Sequence, residues 1–368
     1  MKAIIALTTG DPFGIGPEIS LRAACSPEVR GVCRPLLIGD RARLLQVARE
    51  LPGLIGDDPA AWPVLDRPEP GQRSADGGLA GGGALWEEGP AICDLADLGG
   101  GTGPAAPSAE GGRASILYVE AAAKLARSGA AAAVVTAPLS KRALRLAGRD
   151  APGHTELLAD LCGIDREGVA MMFVTAELKV ALLTTHLGLR EAIAAIASDR
   201  VEQRLKLVRS EHRRWFGDDP RIALCALNPH AGEGGLYGSE EEEILMPALE
   251  SARRAGVRAT GPWPADTVYT RAARGEFDVV LALFHDQATI AVKSRSFGHA
   301  VNLTLGLPFL RASVDHGTAY DIAGRGVADP SSLVEALLLA ARLTGLARSG
   351  MPAGRSSAWQ GGAEGSRR

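Results

Sequence analysis

The chain has 368 residues, enough for two domains or one large α/β unit with a sizeable core, and too many for a single small module. Its 40 basic and 43 acidic residues give a net charge of −3 and are spread along the sequence; no basic stripe that would neutralise nucleic-acid phosphates is visible, so no nucleic-acid partner is expected. Five scattered cysteines, Cys25, Cys33, Cys93, Cys162 and Cys225, include no CxxC pair and fit reduced thiols in a cytoplasmic protein better than a disulfide framework.

The opening run "AIIALTT" (3–9) meets Gly10, Asp11 and Pro12 too early for a signal sequence or a membrane span and reads as a buried first strand. It leads into "TTGDPFGIGPEIS" (8–20), a glycine-rich turn with Pro17 and Glu18 in the first turn of a following helix. Such a turn either packs a strand tightly against a helix or offers backbone amides to an anion, and it is neither GxGxxG nor a P-loop. "PLLIG" (35–39) is a second strand. Residues 66–113, rich in Gly, Pro, Ala and Asp with weak periodicity, read as a long insertion. The stretch "ILYVEAAAKLARSG" (116–129) has helical apolar spacing, and strand-length runs follow at "AAAVVTAP" (131–138), "VALLTTH" (180–186), "RIALCALN" (221–228) and "DVVLALFHD" (278–286). A second helical stretch, "DRVEQRLKLVRSEHRRWFG" (199–217), lies among them, and the Gly/Ser/Arg-rich tail from about residue 349 is expected to be disordered. Strands that are apolar on both faces and alternate with helices predict an α/β protein whose mostly parallel sheet is covered on both sides. Ligands in such folds sit beyond the carboxyl ends of the strands.

Three histidines stand at such ends. His186, His230 and His285 each follow an apolar run, so neighbouring parallel strands, or sheets facing across a cleft, could deliver three neutral imidazoles to one cation. Around His230, in "ALNPHAGEGG" (226–235), Asn228 and Pro229 stop the strand and Gly232, Gly234 and Gly235 let the backbone fold tightly. Glu233 could orient the histidine or cap the next helix, and Glu240 to Glu243 suit that helix's first turn. Further on, Lys293, Asn302 and Arg311 lie in a segment punctuated by Gly298, Gly306 and Pro308. They could hold a phosphate and a carboxylate, or be ordinary cations of a surface loop.

Taken in order, "TTGDPFGIGPEI", "TAPLSK", "GHTELLA", "LLTTHLGLR", "LNPHAGEGGLYG", "GPWPADTVY", "FHDQ" and "VNLTLGLPFLRASVDHGTAYDIAGRG" resemble the 4-hydroxythreonine-4-phosphate dehydrogenase family of vitamin B6 biosynthesis, from about residue 4 to residue 345. The resemblance implies an isocitrate/isopropylmalate dehydrogenase-like fold, two α/β/α domains flanking a cleft: 1–135 with 300–348, and 136–299, the latter carrying most metal-site residues. It implies a cytoplasmic homodimer with its active site at the subunit interface, using NAD, with NADP left open, and a divalent metal such as Zn, Co, Mn or Mg. By the family's motifs the metal ligands are His186, His230 and His285, the last supplied by the partner subunit, and the substrate contacts are His154, Thr155, Lys293, Asn302 and Arg311. The reaction implied is oxidation of 4-phosphooxy-L-threonine with decarboxylation to 3-amino-2-oxopropyl phosphate.

The base that takes the hydroxyl proton is left between Asp266, Lys293 and Asp286, with Asp266 favoured and Asp286 an alternative orienter of a neighbouring imidazole. The sequence departs from the family pattern at Gly188, at Ala288 and in "SRSFGHA" (294–300). These departures leave open a sister dehydrogenase of erythronate or threonate 4-phosphate, while Lys293, Asn302 and Arg311 speak against an unphosphorylated ring diol. A catalytically silent metal- and phosphate-binding protein is the third reading.

Overall fold

A computed structural model of the chain describes residues 2–65, 88–95, 98, 103, 105–151, 153–296 and 298–349. Its strands are β1 (Ala3–Thr8), β2 (Cys33–Gly39), β3 (Val64–Leu65), β4 (Ala91–Asp94), β5 (Ala133–Thr136), β6 (Ala170–Val174), β7 (Lys179–Leu182), β8 (Ile222–Cys225), β9 (Ala259–Trp263), β10 (Val279–Ala282), β11 (Val301–Leu305) and β12 (Leu310–Ser313). The chain divides into two compact units, Met1–Val169 with Leu307–Gly345 and, second, Ala170–Gly306.

In the first unit the strands run in the order β3-β4-β2-β1-β5-β12, every pair parallel. All four residues of β5 are buried, so this strand has no polar face to turn to water and must be covered from both sides. The helix Ala109–Arg127 supplies part of that cover: Tyr118, Val119 and Ala122 pack in one core with Ile38 and Val134. It starts at Ser108, whose side chain accepts a hydrogen bond from Gly111 N at 3.0 Å. Gly112 lies against the carbonyl of Ala143, where a Cβ would come within 2.1 Å. The predicted insertion therefore ends earlier than 113, because these glycines serve close helix packing; β4 also falls inside it, while residues 66–87 and the tail 350–368 lie outside the described residues.

The helix His154–Cys162 places Leu157, Leu158 and Ala159 in the same core. That packing is why the first unit runs to Val169, past the boundary expected after residue 135. The glycine-rich turn is wholly buried over residues 8–20. Gly14 N donates to Asp11 O, Ile15 N to Thr318 O, and Phe13 N to Asp11 Oδ1. These amides close the turn on the protein itself, so of the two readings of this segment the tight βα turn is the one observed.

The second unit has the order β11-β6-β7-β10-β8-β9. β11 and β7 each pair with β6 antiparallel, whereas β7, β10, β8 and β9 are successively parallel. Four residues separate β6 from β7, too few for a parallel crossover. Phe173, Val180, Leu182, Ala223, Val268, Val280, Ala282 and Val292 share this unit's core. Among the described residues no helix is long and apolar enough to cross a membrane, and all five cysteines are free thiols.

Candidate active site

Strands β7, β10 and β8 are neighbours and parallel, so their carboxyl ends lie along one edge of the sheet, and His186, His285 and His230 follow those ends. The order along the edge differs from the order in the chain: β10 inserts between β7 and β8. His186 stands in a left-handed backbone conformation (φ 21°), four residues beyond β7. The segment before it is tied to β10 by Leu183 N donating to Ala282 O at 2.8 Å and Thr184 Oγ1 donating to Leu283 O at 2.7 Å. The predicted strand 278–286 stops at Ala282, and His285 instead opens the helix His285–Lys293.

The rings of His186 and His285 lie 5.9 Å apart, centroid to centroid, within one chain. At that separation two ring nitrogens can reach one ion at bond lengths of about 2 Å. The adjacency is within one chain, whereas the resemblance implies that His285 reaches the metal from the partner subunit. His285 Nδ1 is 2.7 Å from Asp286 Oδ1, a contact that suits the tautomer with Nδ1–H and leaves Nε2 as the electron-pair donor. His230 is exposed and left-handed (φ 52°), with its ring 6.2 Å from that of Tyr237. Among the described residues no three His, Cys, Asp or Glu side chains are grouped as a metal cluster, so the structure itself assembles two of the three predicted ligands.

Gln287 ties the strand ends together. Its Oε1 accepts from Leu283 N at 2.7 Å, and its Nε2 donates to Ala226 O at 2.8 Å, joining the exits of β10 and β8. Glu241 does the same for the exit of β8, accepting from Leu227 N and Asn228 N at 2.8 Å each. The sequence suggests only a helix-start role for Glu241 and none for Gln287. Gln287 could have been found from its place next to His285 and Asp286, whereas the reach of Glu241 over 14 residues leaves no local signal.

Asp266 is exposed in the first turn of the helix Ala265–Ala273, three residues past the end of β9. β9 pairs with β8, so this carboxylate belongs to the same edge of the sheet as the three histidines. Lys293 is half-buried at the carboxyl end of the helix that His285 begins, and Asn302 lies on β11 opposite Phe173. Asn302 and Arg311 are thus on strands, not in the loop that the glycines and proline suggested.

The remaining predicted contacts lie in the first unit. Arg311 on β12 is 2% exposed and donates through Nη2 to Thr136 Oγ1 at 2.6 Å. Burial pushes its guanidinium down to about 9, partly opposed by the charge of Glu156; it remains a cation at neutral pH. His154 opens the helix His154–Cys162, with Thr155 next to it, and its Nε2 is buried without a hydrogen-bond partner. Burial, and then the charge of Arg311, hold His154 well below the usual histidine range, so its ring is neutral. A buried cation beside a neutral imidazole is suited to an anionic ligand that also carries hydrogen-bonding groups.

Comparisons with known proteins agree with the motifs. A sequence model of one family, described as "Pyridoxal phosphate biosynthetic protein PdxA", matches residues 31–340. The chain is 41% identical to the 4-hydroxythreonine-4-phosphate dehydrogenase of Geobacter metallireducens over 95% of its own length and 98% of the relative's. It is 42% identical to the D-threonate 4-phosphate dehydrogenase of Cupriavidus necator, over 92% and 97%. Among solved structures, the 4-hydroxythreonine-4-phosphate dehydrogenase of Klebsiella pneumoniae superposes with a TM-score of 0.80 at 36% identity, covering 93% of this chain and all of that one. These relatives are dehydrogenases, and from the ordered motifs, the mostly parallel α/β units and the matched length it follows that the chain belongs to the PdxA family of pyridoxal phosphate biosynthetic proteins.

Proposed function

We propose that this protein is a nicotinamide- and divalent-metal-dependent dehydrogenase that oxidises 4-phosphooxy-L-threonine and releases carbon dioxide to give 3-amino-2-oxopropyl phosphate in pyridoxal phosphate biosynthesis. The observation that carries the reading is the pairing of His186 with His285 at the ends of adjacent parallel strands, with His230 following the next strand along. These three imidazoles would hold the metal, and Asp286 would fix the ring of His285 in the binding tautomer. A divalent ion held by neutral nitrogen donors would keep its full charge and would supply electrostatic stabilisation for an ionising substrate hydroxyl and for the negative charge that decarboxylation leaves. A bound nicotinamide cofactor, NAD in this reading, would supply the hydride acceptor.

Arg311 and His154, with Thr155, would bind the anionic substrate; Lys293 and Asn302 would contact its phosphate, carboxylate or hydroxyl groups. Asp266 would accept the hydroxyl proton, with Lys293 as the alternative base. Asp266 fits because it is exposed at the strand edge where the histidines stand. A homodimer with its site at the subunit interface is favoured by the large apolar side chains that flank the histidines in sequence and are exposed here, Leu187, Leu189, Ile193, Leu236, Tyr237 and Ile290. The relative from Cupriavidus necator favours a second reading, in which the substrate is a phosphorylated four-carbon sugar acid.

The deciding assay follows NADH absorbance with purified protein, NAD or NADP, and Zn, Co, Mn or Mg. Turnover confined to 4-phosphooxy-L-threonine supports the first reading, and turnover confined to threonate or erythronate 4-phosphate supports the second. No turnover with any of these would refute both.

A further inference from the structure

From His230 to Gly235 every residue is left-handed, with φ values of 52°, 55°, 78°, 45°, 65° and 89°. Three of the six, His230, Ala231 and Glu233, carry a Cβ that this conformation crowds against the next carbonyl. Such a turn persists only where its surroundings impose it. The turn's own backbone contributes Ala231 N donating to Asn228 O at 3.2 Å and Tyr237 N donating to Gly232 O at 3.2 Å. Both lie at the long end of the usual range for backbone hydrogen bonds.

The stronger restraint comes from outside the turn. Glu241 is 3% exposed, stands at the start of a π-helical turn, Glu241–Leu245, and reaches back with its side chain to the exit of β8. Oε1 accepts from Leu227 N and Asn228 N, and Oε2 accepts from Asn228 Nδ2 at 2.9 Å. The second proton of that amide goes to Glu240 Oε2 at 2.7 Å. Oε2 also fills the hollow of the turn: a Cβ on Gly232 would come within 2.9 Å of it. One buried carboxylate thus fixes the two peptide groups from which the left-handed turn departs, and it occupies the space the turn closes around. The expected role of Glu241, an acidic residue stabilising the first turn of its own helix, is replaced by this longer reach.

We infer that Glu241 is the positioning residue for His230: it sets the exit of β8 and the turn beyond it, and so the direction in which His230 offers its ring to a divalent cation. The inference rests on the reading of His230 as a metal ligand. Its test is a double-mutant cycle on the full-length protein, titrated with Co²⁺ alone and followed by calorimetry and by the cobalt absorption spectrum, with circular dichroism and thermal melts as folding controls. Glu241→Ala is expected to weaken Co²⁺ binding about 10- to 100-fold. Glu241→Gln retains one carbonyl acceptor but turns an amide donor on Asn228 Nδ2, so a smaller loss, about 10-fold, is expected; it also serves where the alanine variant does not fold. Because Glu241 acts through His230, adding either substitution to His230→Ala should change Co²⁺ affinity no further.

Equal losses in the wild-type and His230→Ala backgrounds would overturn the inference, as would unchanged affinity in folded Glu241 variants while His230→Ala binds weakly. Wild-type affinity in His230→Ala would instead remove the ligand assignment itself, and with it anything for Glu241 to position.

Discussion

Replacing Gln287 with methionine keeps the side chain's approximate volume and deletes its amide oxygen and nitrogen. Leu283 N then loses the acceptor now 2.7 Å away, and Ala226 O loses the donor at 2.8 Å. Leu283 is 0% exposed and Ala226 1% exposed, so water cannot replace either bond. A buried backbone group left unsatisfied costs about 1–3 kcal/mol, and two of them give about 2–6 kcal/mol for the variant. The bond from Tyr269 Oη to the Gln287 carbonyl, 2.7 Å, is to the main chain and should survive. The assay is urea unfolding followed by far-ultraviolet circular dichroism. With a slope of about 2 kcal/mol per molar urea, the second unit's midpoint should fall by roughly 1–3 M. A loss below about 0.5 kcal/mol would show that the strand exits are held by something other than this side chain, and would refute the reasoning.

Two further outcomes follow from buried polar groups. His212 stacks on Phe216 at 4.6 Å, and burial, followed by the charge of Lys179, lowers its pKa to about 4, below the 6.5 of an unfolded chain. As pH falls the unfolded state takes the proton first, so the stability contributed by the neutral ring is complete above pH 6.5 and is lost progressively towards pH 4; between pH 7.5 and 5 that is about 2 kcal/mol. His212→Leu should flatten this part of the pH–stability curve in urea unfolding, and an unchanged slope would contradict it. Tyr320 Oη donates to the buried carboxylate of Asp11 at 2.6 Å, so Tyr320→Phe should cost about 1.5–3 kcal/mol. Thermal unfolding measures it, and a midpoint equal to that of the wild type would refute the assignment.

The parts of the fold that the sequence makes legible are those whose periodicity is set by burial alone. The runs at 3–9, 131–138 and 221–228 contain β1, β5 and β8 because each is buried over most or all of its length and has no charged residue to interrupt it. β11 and β12 escape the same reading, since Asn302 and Arg311 interrupt them; Arg311 is accommodated within its strand by partners such as Thr136, 175 residues away, which accepts a hydrogen bond from it. The run at 278–286 extends one element too far, as its apolar character continues across the strand exit into the start of a helix. At the site, the histidines announce themselves by following strands. What orients them, Glu241 and Gln287, does not, for those side chains act on backbone groups of segments that only the folded sheet brings near.

The insertion of β10 between β7 and β8 has a consequence for how such a protein can change. Adjacent strands repeat every 4.8 Å or so, which makes the hydrogen-bond ladder a ruler: the exits that carry His186 and His230 are two divisions apart, with His285 on the mark between them. The exposed parts of the helices and connections that separate these histidines along the chain can drift in composition, lengthen or acquire new surface chemistry without moving the marks, so long as the buried ties of Glu241 and Gln287 to the strand exits are kept. The periphery can therefore be rewritten while the spacing of the three strand exits is inherited from the sheet.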